Sequence, residues 1–150
     1  DYLDAALLPD ARREIAFEFG ETSEGWMAQH HIGDLRVQDG ALHVDVTGGD
    51  PYMSRGSLTI DGDAVDEVVI RMRTEVGSAG QLYWGTTQTP TITEDRVALF
   101  PVTADGVWHE YRLPVADHDQ WRGQTITMIR LDPLNGSSPA TVEIDWIRGE

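Results

Sequence analysis

The chain contains no cysteine. That removes disulfides, thiol nucleophiles and thiolate metal sites together. A domain of this kind outside the cell must then rely on its core or on a metal. Lysine is also absent, so all eleven basic residues are arginine, set against 26 acidic ones for a formal net charge of -15. So little positive charge argues against general binding to nucleic acid or to anionic membranes. It leaves carboxylates available for a hard cation such as Ca²⁺. No apolar run approaches the ~18 residues that would cross a membrane. No signal peptide is read at Asp1–Asp4, a segment that a mature or excised module would also lack, so the compartment stays open on this ground. P-loop, dinucleotide-fingerprint, His-x-x-x-His and G-x-S-x-G patterns are all missing.

What is present reads as short strands. At 150 residues, one domain with a real core is expected. Residues 1–14 read as an arm or linker, and residues 15–150 as the folded module. Within Val68–Thr86, Ile70 and Met72 alternate with Arg71 and Arg73. After the turn Gly77-Ser78-Ala79-Gly80, Leu82 and Trp84 alternate with Gln81 and Tyr83. This predicts a strand pair whose polar face carries Arg71, Arg73, Gln81 and Tyr83, either a ligand-binding surface or an ordinary solvated one. Asp39-Gly40, between two alternating runs, is a hairpin signal. About nine strands with turn signals at sandwich spacing follow from such patterns, with no long amphipathic helix. The fold class expected is all-β, a single-domain antiparallel sandwich. Thr47–Tyr52 reads as an irregular loop.

Several residues could carry chemistry. His30 and His31 are adjacent, and neighbours on a strand point to opposite faces, so they should not share one metal. Glu18 lies in the first strand and Asp145 in the last. If those strands are neighbours, the two carboxylates could meet at one cation, with Asp39 as a third contributor. The alternative is pairing with Arg148 or water. Of the five tryptophans, Trp84 and Trp146 are in phase with core residues, whereas Trp121 sits in a polar loop and is the better candidate for exposure. Tyr52 and Tyr83 are further candidate platforms for the C–H face of a sugar.

A set of phrases occurs in one order: Phe17-Glu18-Phe19 then Trp26, Asp39-Gly40 before Leu42, Gly49-Asp50-Pro51-Tyr52, Gln81-Leu82-Tyr83-Trp84, Trp108-His109-Glu110-Tyr111, Ile129-Arg130-Leu131-Asp132-Pro133 and Ile144-Asp145-Trp146-Ile147. The set spans roughly residues 15 to 149. It resembles the galactose-binding-like β-sandwich modules attached to secreted bacterial polysaccharide-degrading enzymes. The resemblance implies a non-catalytic, extracellular carbohydrate-binding jelly roll that accompanies a catalytic domain of its parent chain. It also implies a structural Ca²⁺ between the terminal strands, at Glu18 and Asp145. A sheet-face site would use Arg71, Arg73, Tyr83 and Arg130; a loop-end site would use Tyr52 and Trp121. The Asp50-Pro51 and Arg130/Asp132 phrases could instead be a structural arginine–carboxylate clamp. Two rival readings are a sandwich that only docks on a neighbouring enzyme domain, and a small polysaccharide lyase built from Tyr83, His109, Arg73 and Gln81.

Overall fold

The structure, a computed structural model, describes residues 12–135 and 139–150. Residues 1–11 of the expected arm, and 136–138 of the loop after Pro133, lie outside the described residues. The described strands are β1 (Ala16–Phe17), β2 (Met27–His30), β3 (Ile32–Gln38), β4 (Ala41–Val46), β5 (Tyr52–Arg55), β6 (Ile60–Asp61), β7 (Val68–Arg73), β8 (Ala79–Thr86), β9 (Val97–Pro101), β10 (His109–Leu113), β11 (Thr125–Asp132) and β12 (Ala140–Gly149).

They form two antiparallel sheets. A back sheet runs β10-β7-β12-β4-β3, with β1 also on β12; a front sheet runs β2-β5-β11-β8-β9, with β6 also on β11. The alternating apolar residues meet between them. Leu42, Val44, Ile70, Met72, Ile144 and Ile147 come from the back sheet, and Met53, Leu82, Trp84, Ile129 and Leu131 from the front; all are fully buried. Each such side chain contributes roughly 1.5–3 kcal/mol by leaving water. The first and last strands are neighbours, with Phe17 opposite Ile147. Asp39 and Gly40 both take positive φ, 54° and 74°, as a two-residue hairpin turn of the I′ type demands. Among the described residues no helix is long and apolar enough to cross a membrane.

One expectation fails at the centre of the chain. Val68–Arg73 and Ala79–Thr86 are both strands, but β7 pairs with β10 and β12 whereas β8 pairs with β9 and β11. The segment between them crosses from sheet to sheet. Because both apolar faces point inward, Arg71 and Arg73 leave the sandwich on one side and Gln81 and Tyr83 on the other. Alternation fixes which side of a strand is apolar; it does not say which strand lies beside it. Tyr52–Arg55, missed as a strand, is β5 of the front sheet.

Candidate functional site

On the outside of the front sheet, β5, β11 and β8 lie side by side. Arg130 of β11 is opposite Tyr83 of β8 and Ser54 of β5. Its guanidinium carbon lies 3.5 Å from the Tyr52 ring centroid and 4.7 Å from that of Tyr83. Its Nε and Nη2 donate to the two oxygens of Asp132, each at 2.9 Å. Asp132 is two residues along the same strand and therefore on the same face. This is a bidentate clamp, buried at its acidic end: Asp132 is 5% exposed. Burial raises the Asp132 carboxyl above its ordinary range, with the Arg130 bonds acting against that. Tyr83 donates its hydroxyl proton to Glu94 at 2.9 Å. Burial and that carboxylate push the phenol up to about 12.

The row continues onto β2. The His30 ring stacks on Tyr52 with centroids 5.0 Å apart, and on His31 at 3.9 Å. The two imidazoles were expected on opposite faces. They meet because β2 pairs irregularly with β5 between Ala28 and His30, and because His31 turns to a φ of 50°. Asp50 fixes both: its carbonyl is 2.8 Å from His30 Nδ1, and its N–H donates to His31 Nδ1 at 3.0 Å. The two bonds assign a proton to His30 Nδ1 and a lone pair to His31 Nδ1. Gly48 makes room, since a Cβ there would stand 2.5 Å from the His31 ring.

His31, His30, Tyr52, Arg130 and Tyr83 thus form one row of planar groups. Strands 4.7–4.9 Å apart set a spacing close to that of stacked rings. Strands β2 and β11 flank β5, so His30 and Arg130 cover the two faces of Tyr52. The row therefore offers the edges of its exposed members more than open aromatic faces, while Tyr83, 4% exposed and bonded to Glu94, backs it from below. Beside it lies a groove of about 260 Å³ lined by Asp50, Gln81, Leu99, Asp132, Leu134 and Asn135, among others. Leu99 projects there, 69% exposed. Sequence reading named Tyr52, Tyr83 and Arg130 but not Glu94 or Leu99; the His-His pair and the Gly-Asp-Pro-Tyr phrase were the available signals for the rest.

The back sheet uses similar residues differently. Arg71 pairs with Asp145 at 2.9 Å, and Arg73 with Glu143 at 2.7 Å. Arg36 pairs with Asp45 at 3.1 Å and His43 approaches Glu143 at 3.5 Å. Arg71 and Arg73 also lie over the Trp108 ring, 5.3 and 4.7 Å from its centroid. A larger hollow of about 510 Å³ borders the Arg73–Glu143 pair and Glu75, and its one arginine is already matched by Glu143. Trp121 is not exposed: it is fully buried, edge-on to Trp84, with its indole N–H 3.0 and 3.1 Å from the carbonyls of Gly62 and Val65. Its polar sequence neighbours concealed those long-range partners.

The residues expected at a cation do not fit one as arranged. Arg148 grips Glu18 at 2.6 and 2.8 Å, Arg71 holds Asp145, and Asp39 sits in the β3–β4 turn. Among the described residues no three His, Asp or Glu side chains converge as a metal requires. The lyase parts are divided as well. Tyr83 and Gln81 belong to the front sheet and Arg73 to the back, while His109 of β10 bonds Asp105 at 2.9 Å.

No family model matches the chain, and no curated protein sequence matches it. Solved structures do. A family 28 carbohydrate-binding module specific for non-crystalline cellulose superposes with a TM-score of 0.62 at 13% identity, over 95% of this chain and 99% of that one. The N-terminal cellulose-binding domain of β-1,4-glucanase C from Cellulomonas fimi gives 0.60 at 15%, over 93% and 96%. A family 6 module from Clostridium cellulolyticum, solved with xylose, gives 0.59 at 15%, over 93% and 98%. Identities this low speak for the fold alone: the chain has the two-sheet β-sandwich of carbohydrate-binding modules.

Proposed function

We propose that the protein is a non-catalytic carbohydrate-binding module, an accessory to a secreted polysaccharide-degrading enzyme, and that its binding face is the outside of the front sheet. The observation that carries this reading is the row Tyr52–Arg130–Tyr83 beside the groove at Asp132 and Gln81. Planar donors and acceptors are held rigid there, so little side-chain entropy is lost when hydroxyls bind. Strand positions make such a face more precise than a loop site. The division of Tyr83 and Arg73 between opposite faces, and the high proton affinity of Tyr83, speak against the lyase reading, which needs a base and a charge-neutralising arginine at one centre. The docking reading rested on Arg71, Arg73 and Arg130 as interface residues; the first two are matched within their own sheet. The expected Ca²⁺ would have to displace Arg148 from Glu18 and Arg71 from Asp145, and the arrangement favours the ion pairs.

The test is affinity electrophoresis against soluble polysaccharides and pull-down on insoluble ones. Wild-type protein should be retarded by at least one glycan. Tyr52→Ala should weaken that binding about tenfold or more, equivalent to ~1.4 kcal/mol, while Arg71→Ala leaves it within about twofold. Retardation by no glycan contradicts the proposal, and equal loss in the two variants contradicts the choice of face.

A further inference from the structure

Resting on that reading, we infer that the front-sheet site selects uncharged glycans and turns away uronates and sulfated sugars. The chain's eleven arginines would suggest the opposite at first sight, because arginine is the residue suited to bidentate recognition of a carboxylate. The structure removes that use. Arg71 and Arg73 lie on the far side of the sandwich and pair with Asp145 and Glu143. Arg130 is the arginine of the front-sheet row, and its bidentate Nε/Nη2 edge is already occupied: Asp132 takes Nε and Nη2, and Tyr52 and Tyr83 lie against the guanidinium. A uronate could claim the fork only by expelling a buried carboxylate from its partner, leaving that charge unpaired away from water, which is costly.

The surroundings point the same way. Three carboxylates line or border the site: Asp50 and Asp132 in the groove, and Glu94 held by the Tyr83 hydroxyl. They face one arginine. An incoming anion meets like charge at short range, over a chain whose net charge is -15. What the site has to spare is acceptor capacity, since ionised carboxylates accept and do not donate. Sugar hydroxyls supply the donors; a sugar carboxylate or sulfate supplies none. Arg130 Nη1, which makes no hydrogen bond among the described residues, and the half-buried Gln81 amide can donate to ring or hydroxyl oxygens. Exposed Leu99 at the groove's edge offers an apolar surface to C–H groups.

The experiment uses the whole chain and two polymers that differ only at C6, carboxylate against hydroxymethyl: polygalacturonate and its carboxyl-reduced galactan, together with a panel of neutral and acidic polysaccharides, each in about 20 and 500 mM salt to vary screening. Neutral polymers should lead the panel, and the reduced galactan should bind at least tenfold tighter than polygalacturonate at low salt, the gap narrowing at high salt. Glu94→Gln and Asp50→Asn, both at exposed positions, should shrink that gap by raising polygalacturonate binding about threefold or more at low salt (~0.65 kcal/mol). Acidic polymers leading at low salt would overturn this inference while leaving the proposed function intact. Binding to neither class would overturn both.

Discussion

The two outer faces of this sandwich are built from the same residue types, yet they solve different problems. On the back sheet three arginines meet a carboxylate on the neighbouring strand: Arg73 with Glu143, Arg71 with Asp145, Arg36 with Asp45. These pairs are partly solvated and tie strand to strand. On the front sheet Arg130 binds a carboxylate on its own strand, Asp132, and spends its faces on tyrosines from the two adjacent strands. Its partner is buried, so the clamp costs desolvation that the back-sheet pairs largely avoid. A surface that accepts such a cost to hold planar groups in a row is organised for something other than strand pairing. That contrast supports the front sheet as the proposed binding face.

The largest expected difference is in stability. Arg130→Ala strands a buried carboxylate and should cost about 2–3 kcal/mol, below the ~3–5 of a fully buried pair because the Arg130 side chain keeps 21% exposure. Arg73→Ala breaks a pair whose side chains are 39% and 24% exposed and should cost under ~1 kcal/mol. Urea unfolding of both variants measures this, and equal costs would erase the contrast.

A smaller effect appears on acidification, with opposite sign on the two faces. Hydrogen bonds from Arg73, Arg36 and Arg148 hold the Glu143, Asp45 and Glu18 carboxyls below their ordinary values. Groups lowered on folding stabilise above the unfolded value, and that stability is lost as pH falls through the folded one. Asp132 is raised, so the folded state binds its proton more tightly and its contribution improves as pH falls. Between about pH 5 and 3, Glu143→Gln should flatten the loss of melting temperature relative to wild type, and Asp132→Asn should steepen it. The smallest expected effect is that of a chelator. If Glu18 and Asp145 serve Arg148 and Arg71, excess chelator leaves the melting temperature unchanged; a clear fall would reinstate a cation between the terminal strands.

Much of the sandwich was legible in the sequence. The alternation in Ala41–Val46 and Val68–Arg73 and the Asp39-Gly40 turn depend on local chemistry, whereas the neighbouring of the first and last strands was open in the sequence and is settled by the register of Phe17 on Ile147. The partition of strands between sheets was not legible, because β7 and β8 have the period of a hairpin without being one. That single ambiguity scattered the candidate site: Arg71 and Arg73 were grouped with Tyr83, from which they are separated by the core. Trp121 misled for a related reason, since its burial depends on Trp84, Gly62 and Val65, all distant in sequence. Tyr52, Tyr83 and Arg130 were each visible as residues, but their stacking follows from the order β5-β11-β8, which no local pattern encodes. His30 and His31 joined them only through an irregular pairing and one positive φ.

The most direct test of the central claim is a ¹H–¹⁵N NMR titration of the whole chain with an oligosaccharide of whichever polymer binds. Shift changes should concentrate in Tyr52–Arg55, Gln81–Tyr83 and Arg130–Asp132, with Asp50 and Glu94 following, while Val68–Arg73 and Thr141–Trp146 stay fixed. Changes concentrated on the back sheet around Arg71, Arg73 and Trp108, with the Tyr52–Arg130–Tyr83 row silent, would contradict it.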